Sequence, residues 1–444
     1  MLNNKDLIIG VIGLGYVGFP LACLFARRYK VIGYDLNCDR VNELNAGKDH
    51  TAEVSADDQA MALNNGLKCT TEQTDLKECN VYIVAVPTPV DDHHHPDMTA
   101  LEMASRTVGS VISKGDIVIY ESTVYPGATE GFCAPIIEEV SGLKLNAGFF
   151  LGYSPERINP GDREHRVENI CKITSGSTPE TAGAVDKLYN SVLLNGTCPV
   201  SSIKVAEAAK ILENTQRDVN IAFMNEMAVV MNAIGIGINE VIEAAGTKWN
   251  FLKFQPGLVG GHCIGVDPYY LIDKAKQAGV YPRLTAEARR INESMGSYVA
   301  DRIVKCMNLN GRPAKNAKIL FLGFTFKENC PDIRNTKVAE IYRQLMPYTP
   351  YIDVLDPLVE PEAALKEYGI KTVKSTDMLR YSFYDAVVHC VSHDCFEGLD
   401  FDSLCGVDGI VFDAKGTLPS PSHNFEKAIS YKLICLTNSN FLQK

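Results

Sequence analysis

Residues 7–13 (LIIGVIG) form a near-continuous apolar run. Glycines follow, and apolar positions then recur at helical spacing over about 17–29 before the strand-like VIGYD at 31–35. A strand, a helix and a strand joined by so short a crossover predict a βαβ unit. Further strand-like runs are VYIVAVP (81–87), DIVIYES (116–122) and NAGFFLGYSPE (146–156). Their alternation with helical stretches predicts a parallel sheet covered on both faces, in a first domain spanning 1–200.

The pattern changes over 201–309. SSIKVAEAAKILENTQRDVNIAFMNEMAVVMN and RLTAEARRINESMGSYVADRIVKCM read as long helices without strands, separated by the glycine-rich QPGLVGGHCIGVDP at 255–268. Alternation returns over 310–444 with AKILFLG, YIDVLD, DAVVHCV and GIVFDAKG. The fold class is therefore α/β: two doubly wound Rossmann-like domains joined by a long-helix central region. GVIGLGYVG and KILFLGFTF resemble each other, as two related halves would. Long apolar helices between domains also suit a homodimer interface.

Composition narrows the class. The chain has 444 residues, 46% hydrophobic and 22% charged, with a net charge of −11 and no Lys/Arg run. That excludes nucleic acid as an expected partner but leaves room for a local basic pocket. The 14 cysteines are scattered singly, many in apolar runs such as Cys23, Cys390 and Cys435, which suits buried thiols in a reducing compartment. MLNNKD leads directly into a strand, and no apolar stretch approaches the roughly 18 residues of a membrane span. The expectation is a cytoplasmic protein without a membrane segment.

Gly13, Gly15 and Gly18 form GxGxxG between a strand and a helix, with Tyr16 and Val17 inside the turn. The first glycine serves the tight turn, the second close approach to a pyrophosphate, the third helix–strand packing. The helix N-terminus offers N–H groups to phosphate. Asp35 ends the next strand 17 residues after Gly18, suited to a ribose diol and opposed to a 2′-phosphate, so NAD is the expected cofactor. Arg40 is near enough in sequence to stack on an adenine. Pro87, Thr88 and Thr123 follow strand ends, where ligands of open α/β sheets sit.

Cys263 lies among Gly257, Gly260, Gly261 and Gly265, alone among the cysteines in such a setting. Glycines allow the backbone unusual dihedrals and close contact with a ligand. A nucleophilic thiol needs a nearby base or cation, and His262 precedes it while Asp267 follows four residues later. The residues alone also permit a chance cysteine in a glycine loop, or a His262–Cys263 metal site. No second Cys/His pair has ligand spacing, so no metal is expected. Lys210 and Asn214 share a helix face, which suits either an oxyanion site or a solvated surface. The triplet His93, His94 and His95 in DDHHHPD reads as a solvated loop.

GLGYVGFPLA, VPTPVDD, ESTVYPG, SPERINPGD, GGHCIGVDPYYL and GFTFKENCPDIRNT occur in this order. Together they resemble the UDP-glucose/GDP-mannose dehydrogenase family over nearly the whole chain. SPERINPGD and GHCIGVDPYYL are most similar to its UDP-N-acetylhexosamine 6-dehydrogenases of surface-polysaccharide pathways. The resemblance implies oxidation of a sugar C6 alcohol to a carboxylate by two NAD in succession, through a thiohemiacetal and a thioester on Cys263. It further implies that Lys210 stabilises the alkoxide or moves its proton, that Asn214 completes the oxyanion site, and that Asp267 orients water or Lys210. Thr123 would stand near the nicotinamide and Glu156 would act as base in thioester hydrolysis. Arg157, Phe251, Lys253, Gly260 and Lys327 would bind the UDP-sugar, and Arg334 would reach the cofactor or the adjoining domain.

Two departures separate the chain from the UDP-glucose branch. His262 stands where that branch has Ser, with Ile264-Gly265-Val266 after the cysteine, and Pro160 replaces a second glutamate. An N-acetylhexosamine, as its galacto or gluco epimer, is therefore the expected sugar, with UDP-glucose as the alternative. A two-electron hydroxyacid dehydrogenase would not need Cys263, and an NAD-binding protein without turnover would not need Lys210, Asn214, Cys263 and Asp267 together.

Overall fold

A computed structural model describes residues 7–51, 53–158, 166–418 and 425–427. MLNNKD, Pro160 and Cys435 lie outside the described residues. The chain divides into two compact units: residues 1–214 with 266–282, and residues 215–265 with 283–444. Segment 201–309 is thus shared between the two units.

The first unit holds an eight-stranded sheet. Its strands are β1 (Ile8–Ile12), β2 (Lys30–Tyr34), β3 (Lys68–Thr70), β4 (Val81–Val84), β5 (Ile117–Tyr120), β6 (Phe150–Tyr153), β7 (Lys172–Gly176) and β8 (Thr197–Pro199). They lie in the order β3-β2-β1-β4-β5-β6-β7-β8. β4 and β5 are buried at every position, as expected of parallel strands covered on both faces. The chain reverses direction through the sheet between β1 and β4, the topological switch point where such folds bind ligands.

Two features depart from the sequence reading. Only Phe150–Tyr153 of the run 146–156 is a strand, because Asn146 adopts a left-handed φ of 62° and Gly148 packs against Leu143 in a turn. The sheet is also not wholly parallel: β7 runs antiparallel to β6. β7 is hard to read because it opens on Lys172, which is fully buried and pairs with Glu121 at 2.6 Å. Burial pushes the Glu121 carboxyl up to about 7 even though Lys172 pulls it down.

The second unit holds a parallel five-stranded sheet: β9 (Ile319–Leu322), β10 (Ile352–Leu355), β11 (Tyr384–His389), β12 (Cys405–Asp413) and β13 (Phe425–Lys427). Their order is β10-β9-β11-β12-β13, again switching beside the first strand. Most of the helix Ile203–Ala233 belongs here, together with the helix Arg283–Leu309. The two helices share a buried polar ladder in which Arg289 pairs with Asp218, and Asn292 bonds Asp218 at 2.7 Å and Asn225 at 2.8 Å. Burial of such groups is tolerated only because each is paired.

The likeness of the two glycine-turn sequences has a structural counterpart. Asp35, just after β2, accepts the backbone N–H of Leu14 at 2.8 Å. Asp356, just after β10, accepts those of Phe324 at 2.6 Å and Thr325 at 3.1 Å. In each unit a carboxylate at the end of the second strand holds the turn after the first. No helix among the described residues is long and apolar enough to cross a membrane.

Candidate active site

Gly13 turns the chain with φ of +90°, and a Cβ there would meet the Ala85 carbonyl at 2.7 Å. At Gly18 a Cβ would stand 1.8 Å from the carbonyl oxygen of Gly13, so the helix Gly18–Ala26 can start here only with glycine. Gly15 has nothing within 4 Å of an added Cβ, leaving its backbone open on the side where a pyrophosphate would approach. Tyr16 and Val17 complete the turn, and the helix N-terminus supplies N–H groups beside it. These residues fit NAD.

Asp35 spends part of its acceptor capacity on Leu14 and, at 2.9 Å, on the N–H of Asn37. Its remaining lone pairs suit a ribose diol. Asp35→Asn keeps an acceptor for Leu14 but removes the charge that opposes a 2′-phosphate. The kcat/KM preference for NAD over NADP is expected to fall roughly tenfold or more, from the loss of about 1.5–3 kcal/mol of charge-assisted bonding. Steady-state kinetics with both cofactors checks this; an unchanged ratio would remove Asp35 from the ribose site. Arg40 is tied to the dinucleotide turn itself. It is buried, its Nε donates to the Leu14 carbonyl at 2.9 Å, and it pairs with Asp49 at 2.7 Å. It braces the turn from within.

Thr123, half-buried, follows Ser122, whose hydroxyl donates to the Val86 carbonyl at 2.7 Å and so ties the loop after β5 to the loop after β4. Pro87 and Thr88 stand in that second loop, where the Tyr270 hydroxyl donates to the Pro89 carbonyl at 3.1 Å. Tyr270 belongs to the helix Asp267–Gln277, which begins at Asp267. His94 stacks on Tyr269 of the same helix with ring centroids 4.4 Å apart.

The helix Ile203–Ala233 supplies the polar face of this unit. Lys210 and Asn214 are 5% and 6% exposed, so their shared face is buried, not solvated. The Asn214 amide donates to the carboxylate of buried Asp267 at 2.5 Å. One turn earlier, fully buried Glu207 accepts the backbone N–H groups of Gly127 and of Thr129, the latter at 2.9 Å. Burial pushes its carboxyl up. Glu207 anchors this helix to the loop that follows Thr123 and was missed by the motif reading. Its spacing of three from Lys210 and seven from Asn214 was the available signal. Arg157 pairs with Glu213 of the same helix at 2.8 Å. Glu156 is 9% exposed; its Oε1 accepts the Ile158 N–H, and its Oε2 has no hydrogen-bond partner among the described residues.

The cysteine loop lies in the second unit. Asn225 clamps its start, accepting the Gly257 N–H at 2.8 Å and donating to the Gly257 carbonyl at 3.0 Å. Further on, the Gly261 N–H donates to the Arg334 carbonyl at 3.1 Å, and the Asn335 amide returns a bond of 3.0 Å to the Gly261 carbonyl. A Cβ on Gly260 would stand 2.7 Å from the Asn335 carbonyl, and one on Gly261 2.8 Å from the Phe326 ring. The glycines therefore let two motifs lie flush: GGHC and DIRNT. Cys263 is half-exposed, whereas Cys23, Cys69 and Cys79 are buried, with burial pushing each thiol up to about 12.

Arg334 grips Asp332 of its own loop through Nε, at 3.0 Å to both carboxylate oxygens. The Lys327 carbonyl accepts the Thr325 hydroxyl at 2.9 Å. Phe251 packs partly buried against the second unit's core, and Lys253 is exposed.

The dinucleotide turn and the two Rossmann-like sheets, taken with the family match, place the protein in the class of NAD-dependent nucleotide-sugar dehydrogenases. Residues 7–193, 204–294 and 320–420 match the NAD binding, central and UDP binding domains of the UDP-glucose/GDP-mannose dehydrogenase family, and the chain belongs to that family. It is 52% identical over 400 residues to a UDP-N-acetyl-D-glucosamine 6-dehydrogenase of Pseudomonas aeruginosa, covering 90% of this chain and 94% of that one. It is 47% identical over 423 residues to the enzyme of the same name from Salmonella typhi, covering 95% and 98%. Among solved structures, UDP-D-ManNAc dehydrogenase from Pyrococcus horikoshii superposes with a TM-score of 0.86 at 32% identity, covering 95% of this chain and 99% of that one.

Proposed function

We propose that this enzyme oxidises the C6 alcohol of UDP-N-acetylglucosamine to the carboxylate, with Cys263 as covalent nucleophile, for polysaccharide synthesis in the cytoplasm. The observation that carries the chemistry is the buried helix face bearing Lys210 and Asn214, with Asn214 bonded to Asp267. Two buried polar side chains and a carboxylate so arranged suit a developing oxyanion and its proton, not a solvated surface. The choice of the gluco epimer rests on the two relatives that carry that substrate in their names.

Lys210 stabilises the C6 alkoxide as the hydroxyl proton leaves, and Asn214 donates to the same oxygen. The Gly13–Gly18 turn and Asp35 would hold NAD, with Thr123 toward its nicotinamide, and it would supply the hydride acceptor for both oxidations. Cys263 adds its sulfur to the aldehyde carbon, and the thiohemiacetal becomes a thioester when its C–H is oxidised. Glu156, whose Oε2 has no hydrogen-bond partner among the described residues, takes a proton from the attacking water. The C–S bond breaks, releasing the carboxylate and the Cys263 thiol.

Residues 1–200 serve NAD, 201–309 carry the cysteine loop and dimerisation, and 310–444 bind UDP. Arg157, Lys253 and Lys327 supply cations for the diphosphate, Phe251 and Gly260 shape its surroundings, and Arg334 holds the adjoining loop. Phe223, Val230 and Ile234 are 53%, 43% and 62% exposed on or just past the Ile203–Ala233 helix, which supports a second copy of the chain as partner.

The test is NADH formed per limiting sugar, with UDP-N-acetylglucosamine, UDP-N-acetylgalactosamine and UDP-glucose in parallel. About two NADH per sugar, fastest on the first, is expected because each oxidation moves one hydride. About one NADH would overturn the thioester route. Faster turnover of another sugar would overturn the substrate.

A further inference from the structure

His262 immediately precedes the proposed nucleophile in the glycine-rich loop. Its Nδ1 stands 3.6 Å from the carboxylate of Asp332, an ion-pair contact slightly too long for a hydrogen bond. Asp332 is 4% exposed and is held in place by the Arg334 fork and by the Arg334 backbone N–H at 3.0 Å. The Phe326 ring meets the imidazole edge-on, with centroids 6.4 Å apart. The backbone bonds from Gly261 to Arg334 and from Asn335 to Gly261 fix the two loops against each other, so the distance from His262 to Asp332 is set by the fold. Cys263 is the next residue in the same loop, and its charge acts on the imidazole.

We propose that Cys263, His262 and Asp332 form a proton relay: the Cys263 S–H bond breaks, the imidazole of His262 takes the proton, and Asp332 stabilises the imidazolium, leaving a thiolate before any sugar binds. This rests on Cys263 being the nucleophile. In this relay His262 acts on the reacting sulfur of the adjacent residue; Asp332 is a positioning residue acting through it, and Arg334 keeps Asp332 ionised.

The charges facing His262 decide the direction. Burial alone pushes its imidazole down, but the Cys263 charge and Asp332 outweigh burial and the more distant Arg334 cation, holding it at about 9. Asp332 is held well below the usual carboxylate range: burial raises it, and His262 and Arg334 together lower it further. A cationic His262 beside an anionic Asp332 is the product of that transfer, and the imidazolium charge holds the neighbouring sulfur as thiolate.

The experiment is alkylation of Cys263 by iodoacetamide, followed by mass spectrometry of its peptide from about pH 5 to 10, without substrate, in wild type, His262→Gln and Asp332→Asn. In wild type the rate is expected to stay high well below the ordinary thiol range near pH 8.5. In His262→Gln it should fall roughly tenfold to a hundredfold at about pH 6.5 and recover at alkaline pH; Asp332→Asn should shift the profile the same way by less. Thiolate absorbance of wild type against Cys263→Ala gives the same titration if a variant fails to fold. Superimposable pH profiles in wild type and His262→Gln, or a wild-type thiol that titrates near pH 8.5, would overturn the relay. Because alkylation needs no sugar, a displaced profile together with one NADH per sugar would reject the thioester and keep the relay. An undisplaced profile with two NADH would do the reverse.

Discussion

Cys263→Ala is expected to stop the overall oxidation at or before the aldehyde, lowering uronate formation by a factor on the order of 10³ or more. The argument is chemical. An aldehyde has no good hydride to give until a nucleophile has added to its carbonyl carbon, and at neutral pH a thiolate does so far better than water. The substitution removes a half-exposed side chain from a loop held by backbone bonds at Gly257 and Gly261, so the fold should survive. NAD binding belongs to the other unit and should be retained. Mass spectrometry of the nucleotide sugar after single and multiple turnovers reads the outcome. Uronate at the wild-type rate would remove Cys263 from the reaction and revive a simple two-electron dehydrogenase.

Gly18→Ala and Gly15→Ala should part company although they lie three residues apart in one motif. At Gly18 the added methyl would overlap the Gly13 carbonyl at 1.8 Å, and neither backbone atom can rotate away. The start of the helix would have to move off β1, at a cost on the order of 3 kcal/mol or more, with loss of NAD binding. At Gly15 the methyl meets nothing within 4 Å, so stability should stay within about 0.5 kcal/mol while the methyl blocks the pyrophosphate's approach. Thermal unfolding paired with NAD titration checks both. A destabilised Gly15→Ala, or a fully stable Gly18→Ala that binds NAD, would contradict the assigned roles of the two glycines.

Much of this molecule is legible from local sequence because the requirements are local. The turn at Gly13, Gly15 and Gly18 is specified by residues within six positions of one another. Strands such as Val81–Val84 announce themselves because burial on both faces demands an unbroken apolar run. Cys263 stands out because its neighbours are glycines. The opposite holds for groups whose partner is distant in the chain. Nothing near Lys172 in the sequence points to Glu121, 51 residues earlier, which lies beside it. Arg40 is placed near an adenine by the sequence, which does not record that its guanidinium is bonded to the Leu14 carbonyl.

The sequence by itself determined two Rossmann-type halves, an NAD turn, a cysteine set among glycines and the family. Each of these depends on periodicity or on residues close together in the chain. Only the tertiary structure decided that Glu207 anchors the helix bearing Lys210, that Asn214 bonds Asp267 across 53 residues, and that Asp332 faces His262. The physical reason is that a buried charge or amide must find its partner in space. Which of many carboxylates and N–H groups that partner is depends on how the elements pack, and spacing along the chain does not record it.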